Sequence, residues 1–311
     1  MALYSRKRLI LAKTETTYGT DPTPTGAANA ILVRNLDITP LQADLVDRQL
    51  IRPYFGGYPQ LLAQTRVEVT FEVELAGSGT AGTAPAYGPV LKACGLAETV
   101  VASTSVSYAP VSSSFSSVTI YFHNDGIRHK VTGARGTFEI DAQLNQIPVI
   151  KFTMTGIYNA PSDVSLPTPT YANQATPLLF KNGNTTNFSA FSYSGALMSL
   201  QMQMANNIVY RELVGGTKEV LITDRKPAGN AVLELPTITA KDFFTVANST
   251  TQGAVTFTHG TTAGNIATFN GPYAYIANPS YSDQDGIQML TLPVSYVPSS
   301  AGNDEVSLSY T

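Results

Sequence analysis

The chain has 311 residues, enough for one large or two moderate domains, and only 13% of them are charged, about half the usual share. A formal net charge of −3 excludes a dedicated nucleic-acid binder, which would carry a basic stripe to neutralise phosphates. Cys94 is the single cysteine, so an intrachain disulfide and a thiolate metal cluster are both excluded. Low charge points to surface that is buried against other chains, because interface cores are depleted in charge. The plainer alternative is a large all-β domain with polar, uncharged loops.

In chain order, Arg6, Lys7 and Arg8 precede a short apolar run, residues 9–12, too short for a signal-peptide core. No later run is long enough to span a bilayer. The expectation is a protein made in the cytoplasm without membrane insertion. Residues 14–30, rich in Thr, Gly, Pro and Ala, have no apolar period and predict an extended N-terminal arm over residues 1–30.

Strand patterns begin at Ile31. Residues 66–75 alternate with Val67, Val69, Phe71, Val73 and Leu75 on one face and Glu68, Thr70, Glu72 and Glu74 on the other, a half-buried strand with an acidic outer face. Between this strand and residues 31–38 lies a long segment, 40–64, predicted as a loop. It interleaves Asp44, Asp47, Arg48 and Arg52 with Tyr54, Phe55 and Tyr58, and arginine with aromatics is the composition of interface hot spots. Residues 85–96 predict a short helix, opened by Pro85 and closed by Gly95. A meander follows, with Asp125-Gly126 between alternating runs as a hairpin turn, and Pro161, Pro167, Pro169 and Pro177 mark a linker at 161–177.

The second half repeats this order: a strand at 195–205, a loop segment, a strand at 231–235, a short helix at 241–247, then further strands to residue 297. The run 46–57 resembles 209–216, and 145–156 resembles 285–295, so the chain is predicted to hold two copies of one unit, 31–160 and 178–311.

Chemistry-bearing motifs are few. Gly77-Ser-Gly-Thr-Ala-Gly82 fits the dinucleotide fingerprint, but the preceding strand has an acidic face and the helix starts late, at Pro85, so no cofactor is expected. A nucleotide-dependent enzyme built on this loop is the weakest alternative. His123 and His129 flank the Asp125-Gly126 turn and could form a cross-strand metal pair; ordinary surface histidines are the better account, and no metal is expected. Asp283 and Asp285 before Gly286 read as a turn, not a calcium loop. No catalytic motif appears, and an enzyme is not expected.

Three stretches together carry a resemblance: Glu15-Thr-Thr-Tyr-Gly-Thr-Asp-Pro-Thr-Pro24, Leu36-Asp-Ile-Thr-Pro40 with its Asp44…Arg48 continuation, and Pro89-Val-Leu-Lys-Ala-Cys-Gly-Leu96. With them the chain is similar to the tail tube protein, or major tail protein, of long, non-contractile-tailed bacteriophages. The resemblance implies a mainly β fold of two tandem β-sandwich or barrel units, each with a flanking helix. It implies a virion subunit, assembled in the host cytoplasm, whose rings stack into a tube around a DNA-conducting lumen. It also implies tape measure, tail terminator and distal tail proteins as partners. Residues 44–64, with Asp44, Asp47, Arg48, Arg52, Tyr54, Phe55 and Tyr58, would be the inter-ring loop, and Glu68, Glu72 and Glu74 would face the lumen. Two units per chain would give trimeric rings of pseudo-six-fold symmetry, with hexameric rings as the fallback. A β-sandwich baseplate or receptor-binding module is the rival reading.

Overall fold

The computed structural model describes residues 2–311. β-branched and aromatic residues in period-2 alternation dominate the chain, and the result is a β protein with three helices of one or two turns. In the first half the elements are β1 (Arg8–Thr14), α1 (Gly26–Asn29), β2 (Ala30–Ile31), β3 (Arg34–Val46), β4 (Leu61–Glu74), α2 (Gly88–Ala93), β5 (Leu96–Val101), β6 (Ser105–Pro110), β7 (Val118–Asn124), β8 (Ile127–Gln143), β9 (Val149–Tyr158) and β10 (Ser162–Asp163). In the second half they are β11 (Thr185–Ala190), β12 (Leu197–Gln203), β13 (Asn206–Arg211), β14 (Glu219–Arg225), β15 (Ala228–Glu234), α3 (Phe243–Asn248), β16 (Gly253–His259), β17 (Ala267–Ile276), β18 (Ser280–Gln284), β19 (Ile287–Tyr296) and β20 (Ser307–Tyr310).

All strands except the β13–β14 ribbon belong to one hydrogen-bonded, 18-stranded antiparallel system. The first half is ordered β1–β7–β8–β9–β4–β3. The second is ordered β11–β16–β17–β19–β15–β12. β8 joins them. Its first residues pair with β7, its middle with β9, and its last five, 139–143, pair with β12. A register shift between Thr132 and Arg135 bends it between these partners, as a bulge does. The C-terminal strand β20 makes a second stitch, pairing with β17 on one side and β6 on the other.

The core runs without a break through both halves. Phe71, Phe138 and Tyr87 surround Phe152, and Tyr310 meets Tyr87 and Tyr108 edge-on. The Tyr87 hydroxyl donates to the Ala76 carbonyl at 2.7 Å, which satisfies its one polar atom in an otherwise apolar layer. α2 packs Val90, Leu91 and Ala93 into this core and ends at Cys94, whose buried thiol lies 3.8 Å from the Met154 sulfur.

Four expectations change in form. Residues 8–14, assigned to an extended arm, are a core strand: Leu9, Ile10, Leu11 and Ala12 are all buried and β1 pairs with β7 along its whole length. The short apolar run is enough because each face of β1 is covered, Ile10 and Ala12 by the main core and Leu9 and Leu11 by a second cluster with Ala30 and Tyr121. Met1 lies outside the described residues. The segment 40–64 is an open loop only over 47–60, because β3 and β4 extend into it from both sides as a long hairpin. The helix predicted over 85–96 covers only Gly88–Ala93. Residues 161–177, expected as a linker, hold only the two-residue β10. They are tied to the first half through Ala86 N to Asn173 O, Ala175 N to Gly77 O and Thr170 N to Gly26 O.

One buried carboxylate fixes the entry of the chain. Glu15 accepts from Ser117 Oγ and Thr119 Oγ1, both at 2.6 Å, and from the N–H groups of Gly19 and Gly133, both at 2.7 Å. Those donors come from β7 and from the bend of β8, so one side chain pins three segments. Glu15→Ala strands these donors and lowers stability by about 3 kcal/mol, measured by denaturant unfolding.

Candidate functional site

Three surfaces stand out. The first is the distal part of the β3–β4 hairpin. Here Leu45, Val46, Leu61 and Leu62 are exposed, and at the tip Ile51 and Phe55 are fully solvated. The tip keeps its shape through the Arg52 guanidinium, which lies over the Tyr54 and Tyr58 rings at 4.6 and 4.4 Å and donates to the Gly57 carbonyl at 2.9 Å. Arg48 sits 5.9 Å from the Tyr58 ring, Gln60 donates to Asp47, and Arg66 pairs with Asp44 at 3.2 Å. The structure thus brings Arg48, Arg52, Tyr54 and Tyr58 into one cluster, with Asp44 on the hairpin stem, Asp47 where the open tip begins and Phe55 turned outward.

The second surface is the polar face of the continuous sheet β3–β4–β9–β8–β12–β15–β19–β18. Residues opposite one another across a ladder share a face, so Asp37, Thr70, Thr153 and Thr137 line up on it in the first half and Gln201 and Asn230 in the second. Glu68, Glu72 and Glu74 lie on this face and are half-buried. Glu72 is paired with Arg34 at 3.0 Å, while Lys151 sits 2.9 Å from Asp141 and 3.9 Å from Glu139. Burial alone would raise the Asp141 pKa, but hydrogen bonds from Lys151 and Gln143 hold it below the ordinary carboxylate value. Among the described residues no basic group lies within 4 Å of Glu68 or Glu74, so the face is acidic overall with its few cations already neutralised.

The third is the β13–β14 ribbon, which lies against the first half instead of its own. Val220 and Ile222 are buried there. Arg135, on β8, donates to the Val220 carbonyl at 2.7 Å and the Phe115 carbonyl at 2.9 Å, and stacks on the Tyr18 ring at 4.8 Å. The Tyr18 hydroxyl accepts from the Val220 N–H at 2.6 Å, and Asn206 donates to the carbonyls of Cys94 and Gly136. No local pattern assigns a role to Arg135, or to Tyr18 within the 15–24 stretch, because each works through a contact more than 80 residues away.

The remaining motifs are structural. The Gly77 N–H donates to Asn265 Oδ1 and the Gly79 N–H to the Gly264 carbonyl, so the glycine-rich loop spends these N–H groups on the second half of the chain instead of a phosphate. His123 and His129 do not face each other: His123 is opposite Arg128 and His129 opposite Phe122. His123 is also buried, contrary to the expectation of a surface residue, because β7 is covered on both faces. Among the described residues no cluster of three metal-binding side chains occurs. Asp125-Gly126 and Asp285-Gly286 are hairpin turns with both residues at positive φ, as the Asp-Gly pairs predicted.

A family model described as phage tail tube protein matches residues 5–310. The chain belongs to that family. No curated protein matches it. This tail tube protein is therefore a structural component of the virion tail that self-assembles into a tube, and not an enzyme. The geometry suits that role, since its distinctive features are open edges, an apolar hairpin and a polar sheet face.

Two outcomes follow. Arg135→Ala removes the donor shared by two carbonyls and loosens the β13–β14 ribbon, at a cost of about 2–4 kcal/mol and with faster amide hydrogen exchange in Glu219–Arg225. Burial, with Arg128 beside it, pushes the His123 pKa down to about 4. The unfolded chain therefore binds a proton that the native chain refuses, and stability falls as pH drops from 6.5 towards 4, by roughly 3 kcal/mol for this group. His129 and His259, also lowered by burial, act in the same direction. His123→Phe flattens the largest part of that slope in denaturation curves recorded across this range.

Proposed function

We propose that this tail tube protein forms trimeric rings of pseudo-six-fold symmetry that stack into the tube of a long, non-contractile tail. One observation carries the reading: the two halves share a strand order. β1–β7–β8–β9–β4–β3 and β11–β16–β17–β19–β15–β12 correspond strand for strand, with a short helix, α2 or α3, after the fifth strand of each order. The correspondence extends to single bonds, since Leu75 N–H donates to Pro148 O just after β4, and Leu235 N–H donates to Gln288 O just after β15. Two units near the expected 31–160 and 178–311, each opened by its own strand, make three chains the natural closure of a ring with six similar wedges. Hexameric rings would hold twelve.

The polar sheet face with Glu68, Glu72 and Glu74 lines the lumen. Its neutralised cations leave a wall that repels phosphate, so DNA slides towards the host cell without sticking. The hairpin tip, with Arg48, Arg52, Tyr54, Phe55 and Tyr58, makes the contact between rings, supported by its exposed aromatic and aliphatic groups. The tape measure protein fills the lumen before ejection, and the terminator and distal tail proteins cap the two ends. The tail type rests on the resemblance of residues 15–24, 36–40 and 89–96 to tube proteins of non-contractile tails.

Negative-stain images of the purified protein should show stacked rings, and native mass spectrometry of released rings three chains. Rings of six chains would overturn the trimer. The double variant Arg48→Glu, Arg52→Glu keeps the fold by circular dichroism and keeps single rings, but reduces tube length on the order of tenfold.

A further inference from the structure

The sheet has two open edges, and the chain already contains a picture of what closes them. β3 pairs only with β4, and β18 only with β19. Their counterparts in the other unit are not open: β8 corresponds to β17 and β18 together, and its end, the counterpart of β18, pairs with the outer edge of β12, the counterpart of β3. The two ends of the chain therefore present, unpaired, the halves of a junction that is complete in its middle.

The register follows from the ladders. Glu74 lies opposite Val149 and Glu234 opposite Met289, just before the matching Leu75 and Leu235 bonds. Counting back four residues equates Thr70 with Asn230, and hence their ladder partners Asp37 and Gln201. On the other side Val149 and Met289 carry the equivalence to their partners Asp141 and Ser282. Within the chain Gln201 is opposite Asp141. We infer that β3 of one copy pairs antiparallel with β18 of the next, with Asp37 opposite Ser282, Ile38 opposite Tyr281 and Thr39 opposite Ser280.

Burial supports this pairing. At the internal junction Met202 and Ile140 face each other and are fully buried. Their counterparts are Ile38, half-buried, and Tyr281, which is 62% exposed while leaning on Phe244 at 5.6 Å. A neighbouring β3 would lay Ile38 on that ring and restore the missing cover. The hairpins agree: Ile222, 9% exposed, is buried against the first half, whereas its counterpart Leu62, in the distal β3–β4 hairpin, is 60% exposed and would lie on the next copy's second half. An unprotected strand as long as β3 is an aggregation hazard unless it has a dedicated partner. The Leu36 carbonyl accepts from Arg8 at 2.9 Å, so the pairing is assigned from Asp37 onward.

This inference rests on the ring reading and is tested separately from it. Two double-cysteine variants are made in the full chain, Asp37→Cys with Ser282→Cys, and Ile38→Cys with Tyr281→Cys, because one of any two successive antiparallel pairs is the closer, non-hydrogen-bonded kind that a disulfide can span. Asp141→Cys with Gln201→Cys, in one chain, reports the same geometry at the internal junction. Mild oxidation of assembled rings is expected to give disulfide-linked dimers and closed trimers on non-reducing gels for at least one double variant, and none for the single variants. Rings visible by microscopy that fail to cross-link at both pairs, or that cross-link only when Ser282 is replaced by a cysteine at Gln284, overturn the register. Absence of rings in the unmodified protein overturns the ring reading and this junction with it.

Discussion

The ladder between the end of β8 and β12 is the interaction on which the rest of this structure depends. Five residues of backbone pairing, 139–143 with 199–203, convert two sets of strands into one sheet. Because β8 is also the partner of β7 and β9, its position is set by the first half and its last turn of pairing sets the second. Side chains secure what the backbone begins: Arg135 and Tyr18 hold the β13–β14 ribbon on the far side of the same bend, and β20 closes the opposite end through β6. Separating the halves would expose Met202, Ile140 and the shared aromatic layer, so the two halves of the chain behave as one cooperative body.

That sheet divides the molecule's chemistry cleanly. One face is apolar and packed against α2, α3 and the outer strands; the other carries Thr, Gln, Asn and Glu, with few cations and those already engaged. The low charge of the chain has a physical origin here. Thr, Gln and Asn solvate much of that face without charge, and its carboxylates need only a few cations to offset them. The exposed aliphatics cluster on the distal β3–β4 hairpin, where an unassembled surface of this kind is expected in a self-associating subunit.

Much of this was legible in the sequence where a local rule governs. The alternation from Val67 to Leu75 and the Asp125-Gly126 turn appear where their patterns place them, and the helix predicted over 85–96 forms as the shorter Gly88–Ala93. The Arg and Tyr residues of 48–58 marked an unusual segment correctly, but not its form, since bulges between Thr39 and Asp44 break the alternation that would have betrayed two long strands. β1 hid inside a short apolar run after three basic residues. β18, Ser280–Gln284, carries no apolar alternation at all because both its faces are exposed in the single chain. The acidic face of β4 could be seen in one strand, but its continuation across β8 and β12 depends on pairings between residues 60 apart. Arg135 stands in no motif, and the 15–24 stretch that contains Glu15 and Tyr18 gives neither a role; their importance comes from partners that only the folded chain brings near.

The two corresponding hairpins, β3–β4 and β13–β14, are unequal. The open segment of β3–β4 is 47–60, with its arginine–tyrosine cluster, whereas that of β13–β14 is only 212–218. Around a three-chain ring, long and short projections would alternate, so the end face of the ring is not six-fold but three-fold. Turning one ring by a sixth of a revolution over the next would then exchange long-over-long for long-over-short contacts, two arrangements of different energy. A duplicated subunit can in this way define the rotational phase of its filament, a choice that six identical wedges could not encode.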